Sequence, residues 1–126
     1  MLKQRELEQE RTERLRGWIV YLLYKSRPNP LETSILIRAL DRVNFPLSRR
    51  RLAEELDYLR SIQLIRVFTA GETRELGEPE QAKLVQHYSN TESDEEMGAV
   101  LCARLSAAGI DFQQEILQRE GIQRVY

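Results

Sequence analysis

The chain has 126 residues, with 19 Lys+Arg against 20 Asp+Glu and a formal net charge of −1. That length allows one domain, at most with an arm, and enough buried surface to fold without disulfides or a structural metal. At 41% hydrophobic and 31% charged it is neither a disordered nor a membrane-spanning composition, and one cysteine (Cys102) excludes an internal disulfide or a cysteine-based zinc cluster.

The first 16 residues, MLKQRELEQERTERLR, are strong helix formers without an apolar run. They lack the core of a secretory signal, and their acids argue against a mitochondrial presequence. The expected compartment is a reducing cytoplasm, with no membrane association. The apolar stripe begins at Leu15 and continues through Trp18, Ile19, Leu22 and Leu23, the period of a core-facing helix. Residues 1–14 therefore read as a solvated helical extension of a domain over 15–126. Pro28 and Pro30 end this helix.

A second helix is expected from about Glu32 to Val43, with Ile35, Leu36, Ala39, Leu40 and Val43 on its apolar face. Asn44-Phe45-Pro46 makes a turn. Ser48 stands at an N-cap position before Arg49, Arg50 and Arg51. A third helix runs from there to about Ile62, with Leu52, Leu56 and Leu59 on one stripe. Leu64 to Phe68 is β-branched enough for a strand. Residues 70–98 read as an acidic, partly flexible insertion. Within it, Pro79 to Tyr88 fits a helix by its early proline and acids, and a strand by its alternation. Ala99 to Leu105 suits a second strand. Ser106 would cap a last helix to about Leu117, with Gly109 weakening its first turns. The segment Phe112 to Tyr126 is too apolar for a free tail, and should pack on its own domain or on a second subunit.

The charge is unevenly placed. Residues 1–69 hold 14 basic and 9 acidic side chains, a net of +5, and residues 70–126 hold 5 and 11, a net of −6. A near-zero total therefore does not exclude a polyanionic partner. The order helix, helix, turn, helix, strand, long connection, strand is that of a winged helix-turn-helix. Three helices would bury their stripes together, and a two-stranded ribbon, marginal alone, would pack on them. The expected class is mainly α with a small β-ribbon, an enlarged acidic wing over 70–98 and a C-terminal helix.

The segment LSRRRLAEELDYLRSIQLI resembles the recognition-helix region of small winged-helix proteins, with Leu56, Tyr58, Leu59, Leu64 and Ile65 at the matching positions. ARLSAAGIDF resembles the ending that closes a wing and starts a final helix, through Arg104, Leu105, Ser106 and Gly109. With Glu120-Gly121-Ile122, the set is most similar to small proteins of Mu-like bacteriophages and prophages labelled ArsR-like regulators. The resemblance covers roughly residues 15–69 and 99–126. It departs where Gln63 replaces a glycine before Leu64, and in the length of the wing. It implies a DNA-binding regulator whose third helix, about 48–62, enters a major groove.

Ser48, Arg49, Arg50, Arg51, Tyr58 and Arg60 are the candidate contacts to double-stranded DNA. Arginines at a helix start oppose the macrodipole, so stability alone is a weak reason for three of them. On phosphates they would fix register and affinity. Arg66, Lys25, Arg27, Arg38 and Arg42 could extend the positive surface. The plainer reading is a solvated helix start pairing Arg50 with Glu54 and Arg51 with Glu55. Glu54, Glu55 and Asp57, expected on or near the exposed side, oppose phosphate. The acidic insertion could fold over the basic helix as a gate, dock a protein partner, or serve only as a solubilising loop. A winged-helix module that docks a partner there and does not bind DNA is the alternative function. The helices at both ends are the expected interface if the chain is a homodimer. His87 has no second histidine beside it, so no metal site is expected. Cys102 reads as a small core residue. No phosphate loop or hydrolase motif occurs, so neither a cofactor nor an enzyme is expected.

Overall fold

The computed structural model describes residues 3–114 and 121–122. Helix α1 (Gln4–Lys25) is continuous. Its first turns are exposed, and side-chain hydrogen bonds one turn apart, Gln4 to Glu8 and Gln9 to Glu13, are local. From Leu15 onward it turns Leu15, Ile19, Val20 and Leu23 into the core. The Ser26 hydroxyl donates to the Leu23 carbonyl at 3.0 Å and closes the last turn.

Strand β1 (Leu31–Glu32) leads directly into α2 (Thr33–Arg42). Leu36 and Leu40 of α2 are fully buried, while Ser34, Ile35, Arg38, Asp41 and Arg42 are exposed. Asn44 takes a left-handed φ of 67°, which asparagine tolerates. This turns the chain so that Phe45 enters the core. Helix α3 (Arg49–Ser61) then starts at Ser48, whose hydroxyl accepts the Arg51 N–H at 3.1 Å. Leu52, Leu56 and Leu59 make its buried stripe. The exit does use a left-handed residue: Gln63 has φ 66°, and the Leu64 N–H returns to the Leu59 carbonyl at 3.0 Å.

Strands β2 (Ile65–Thr69) and β3 (Leu101–Leu105) pair antiparallel, with Ile65 opposite Leu105 and Thr69 opposite Leu101. β1 joins the other side of β3, Leu31 opposite Ala103, so the sheet has three strands in the order β1-β3-β2. The expected two-stranded ribbon lacks β1, which at two residues is too short to show a period in the sequence. Ile65, Val67, Leu101, Ala103 and Leu105 face the helices and are buried.

The larger correction concerns residues 70–98. They form no β-wing but carry two helices, α4 (Glu78–Asn90) and α5 (Asp94–Met97), so that of the two readings of Pro79 to Tyr88 the helix is the one found. Pro79 lies in the first turn of α4 with Glu78 and Glu80, residues that suit a helix start and its dipole. Gln81, Val85 and Tyr88, at helical spacing, are its buried face. Helix α4 runs antiparallel along α3, since Arg60 meets Glu78 at one end and Arg49 meets Tyr88 at the other. It also covers the open edge of β2. The Gln81 amide accepts the Val67 N–H at 3.0 Å and donates to the Leu76 carbonyl at 3.0 Å. That satisfies an edge-strand N–H which would otherwise be a pairing site for another chain.

Helix α6 (Ala107–Gln113) starts at Ser106, whose backbone N–H donates to the Leu64 carbonyl at 3.0 Å and whose hydroxyl donates to the Gln63 carbonyl. Gly109 has a packing reason to lie in the first turn: an added Cβ would overlap the Leu64 carbonyl oxygen. Phe112 and Ile122 are buried in the same core. The rest of the expected last helix, and Ile116, Val125 and Tyr126, lie outside the described residues. The architecture is mainly helical with a small three-stranded antiparallel sheet, and among the described residues no helix is long and apolar enough to cross a membrane.

Candidate nucleic-acid interface

Helix α3 is gripped on both flanks. On the α1 side, Arg16 pairs with Glu55 at 2.6 Å and lies 3.7 Å over the Tyr58 ring. Arg51 reaches the same carboxylate at 3.2 Å, the Thr12 hydroxyl at 3.0 Å and Glu54 at 3.5 Å. Glu55 is only 3% exposed, whereas the sequence suggested a solvated acid. The i,i+4 spacing placed it correctly against Arg51, but Arg16 approaches from 39 residues away, which no local pattern reveals.

On the α4–α5 side, Arg49 is the clamp. Its guanidinium donates to the Tyr88 carbonyl at 3.0 Å, to Asp94 at 2.9 Å and to the Thr91 hydroxyl at 3.1 Å, and stacks 3.8 Å over the Tyr88 ring. Arg60 bridges Asp57 and Glu78, both at 2.8 Å. Three of the six candidate contacts, Arg49, Arg51 and Arg60, are thus spent within the fold. Tyr58 is half-buried under Arg16, with its hydroxyl beside Gly121, where an added Cβ would come within 2.7 Å.

Four residues of α3 remain on an exposed stripe: Arg50, Glu54, Asp57 and Ser61. Their helical spacing makes a narrow ridge with one cation and two carboxylates. The expected Arg50–Glu54 pair is absent among the described residues, since Arg51 takes Glu54. Arg50 has no ion pair or hydrogen bond among those residues, and neither have Arg38 and Arg42 on the outer face of α2; all three are exposed. The exposed arginines without such partners thus include Arg50 on α3 and Arg38 and Arg42 on α2, the last two expected only to extend the positive surface. Ser48 is exposed, with its hydroxyl accepting the Arg51 N–H as the N-cap of α3. Arg27, by contrast, lies over its own Tyr24 ring at 4.0 Å, and Arg66 donates to the Leu76 carbonyl at 2.6 Å.

No group of three or more His, Cys, Asp or Glu side chains suited to a metal occurs among the described residues. Burial raises the Cys102 thiol above its ordinary pKa, and the Glu32 and Asp94 carboxylates push the same way, so the thiolate is disfavoured. Comparison of the chain with protein-family models, with curated proteins and with solved structures gives no match.

Proposed function

We propose that the chain is a winged-helix DNA-binding protein, a transcriptional regulator, that grips duplex phosphates at the α2–α3 corner through Arg38, Arg42 and Arg50. The observation that carries this reading is the contrast among its arginines. Arg49, Arg51 and Arg60 have internal partners, while Arg38, Arg42 and Arg50 are exposed and unpaired among the described residues. Arg50 lies in the first turn of α3, where a cation opposes the dipole and stability gives no reason for it. The first turn is also the part of such a helix that approaches base edges. Laying the full length of α3 in a groove would bring Glu54 and Asp57 against phosphate, so the contact is drawn to the N-terminal end.

The acidic end of the same ridge favours a second reading, a winged-helix module that docks a protein through α3 and α4. A gel shift over a range of salt separates the two. With three phosphates neutralised, log K should fall against log salt with a slope of about −2.7. Changing Arg38, Arg42 and Arg50 together to Ala should abolish binding to every duplex alike without unfolding the chain. Wild-type binding that is absent, or flat in salt, refutes the first reading. Glu54→Gln with Asp57→Asn should tighten DNA binding under the first reading and weaken a partner under the second.

A further inference from the structure

On the face of the sheet turned away from the helical core, Arg66 of β2 stands directly opposite Arg104 of β3. Cβ atoms of facing residues in an antiparallel pair lie roughly 4.5–5.5 Å apart, and like charges there are destabilising. Arg66 is partly tied down by the Leu76 carbonyl and by Glu75 at 3.5 Å. Glu75 is 71% exposed, so it neutralises Arg66 weakly. Arg104 is exposed and has no ion pair or hydrogen bond among the described residues; its only ring neighbour is Phe68, 6.0 Å away. The loop 72–76 walls this spot into an open recess of about 220 Å³, lined also by Arg74 and by the carboxylates Glu72 and Glu75, so that three arginines face two acids. Arg74 is occupied by Glu72 and Glu80, both at 3.4 Å.

We propose that this recess is a second anion site, independent of the α2–α3 corner, that takes a phosphate group between Arg66 and Arg104. Arg104 presents a whole fork of donors and Arg66 the Nη1 group that Leu76 and Glu75 leave over, and guanidinium donors of this kind suit phosphate oxygens. The phosphate is either free or carried on a nucleotide, whose base would stack on the open side of Phe68. Bound anion relieves the cross-strand repulsion, so binding must appear as stabilisation.

The test is thermal unfolding of the full chain in chloride buffer at fixed ionic strength, with inorganic phosphate or adenosine monophosphate added. At about tenfold above Kd the wild-type Tm should rise by about 4–7 °C. Arg104→Thr, which removes no internal bond and keeps a β-forming residue, should melt no lower than wild type in chloride and show no rise with either ligand. Arg50→Ala should keep the rise, which separates this site from the DNA corner. A greater rise with the nucleotide, lost in Phe68→Leu, assigns the ligand to nucleotides; equal rises assign it to the phosphate group itself. No rise in wild type, or an equal rise in Arg104→Thr, overturns the proposal.

Discussion

Arg49 fastens the helical insertion to the rest of the fold, and its removal gives the sharpest test of how residues 70–98 are held. Arg49→Ala deletes the pair with Asp94, the bonds to the Tyr88 carbonyl and the Thr91 hydroxyl, and the stacking over the Tyr88 ring. The Asp94 pair, with the carboxylate one-third exposed, contributes about 1.5 kcal/mol, at the low end for a charged hydrogen bond. The other two bonds contribute about 0.5–1 kcal/mol each, and the cation–π contact about 0.5–1 kcal/mol. The groups left behind are not stranded. Tyr88 still accepts from the Thr91 hydroxyl at 3.1 Å, and Asp94 can turn to water. The expected loss is therefore about 3–4.5 kcal/mol. Arg49→Lys keeps a point charge near Asp94 but loses the fork, so it should lose roughly half as much.

Urea unfolding followed by circular dichroism measures the loss. Amide hydrogen exchange locates it. Protection should fall across α4 and α5, and also at Val67, whose N–H is held only by Gln81 of α4. A loss below about 1 kcal/mol, or unchanged protection from Glu78 to Met97, would refute the view that Arg49 is the clamp.

Gln81→Ala should cost about 2–4 kcal/mol in the same urea assay, because it strands the buried Val67 N–H and reopens the edge of β2; it should also promote self-association, read by light scattering. An isostable, monomeric variant would contradict that role. The Tyr88 hydroxyl is buried with no well-formed hydrogen bond among the described residues, and Thr33 is a polar neighbour that meets it only weakly, so Tyr88→Phe should be within about 1 kcal/mol of wild type. Burial raises the Tyr88 pKa, and Thr33 and Arg49 only partly offset it, so the folded chain holds the phenol proton to higher pH than the unfolded chain does. That contribution is intact below the ordinary tyrosine pKa of about 10 and is lost as pH rises above it. Alkaline unfolding curves of wild type and Tyr88→Phe should diverge there, and superimposable curves would count against the assignment. Cys102 should resist a thiol reagent at pH 8 in native protein and react at once in urea; rapid native labelling would mean that β3 opens readily.

The helices α1, α2 and α3 were legible because each carries its own signal: an apolar stripe, a turn at Asn44, an N-cap at Ser48. The insertion is only half legible for a physical reason. Its proline and early acids allow a helix, and most of its acids are indeed solvated, but the face that holds α4 down is Gln81, Val85 and Tyr88, whose partners on α3 and β2 are distant in sequence. The same distance effect misplaced Glu55, which a local view leaves in water and which α1 buries.

The arginine cluster shows why residue type alone does not define a site. Arg49, Arg50 and Arg51 sit about 100° apart around α3, so each meets a different surrounding. Arg49 turns to α4, Arg51 to α1, and Arg50 alone to solvent. A guanidinium whose Nε and both Nη groups already hold acceptors, as in Arg49 and Arg60, would have to give some up before it could bind phosphate, and the fold would lose what those bonds contribute. The arginines open to an anion are those the fold left unpaired, and they include Arg38 and Arg42 on α2 and Arg104 on the sheet, none of them in the triple cluster. A triple substitution at residues 49–51 would mix folding with any effect on the proposed binding, whereas one at Arg38, Arg42 and Arg50 would test that proposal at little structural cost.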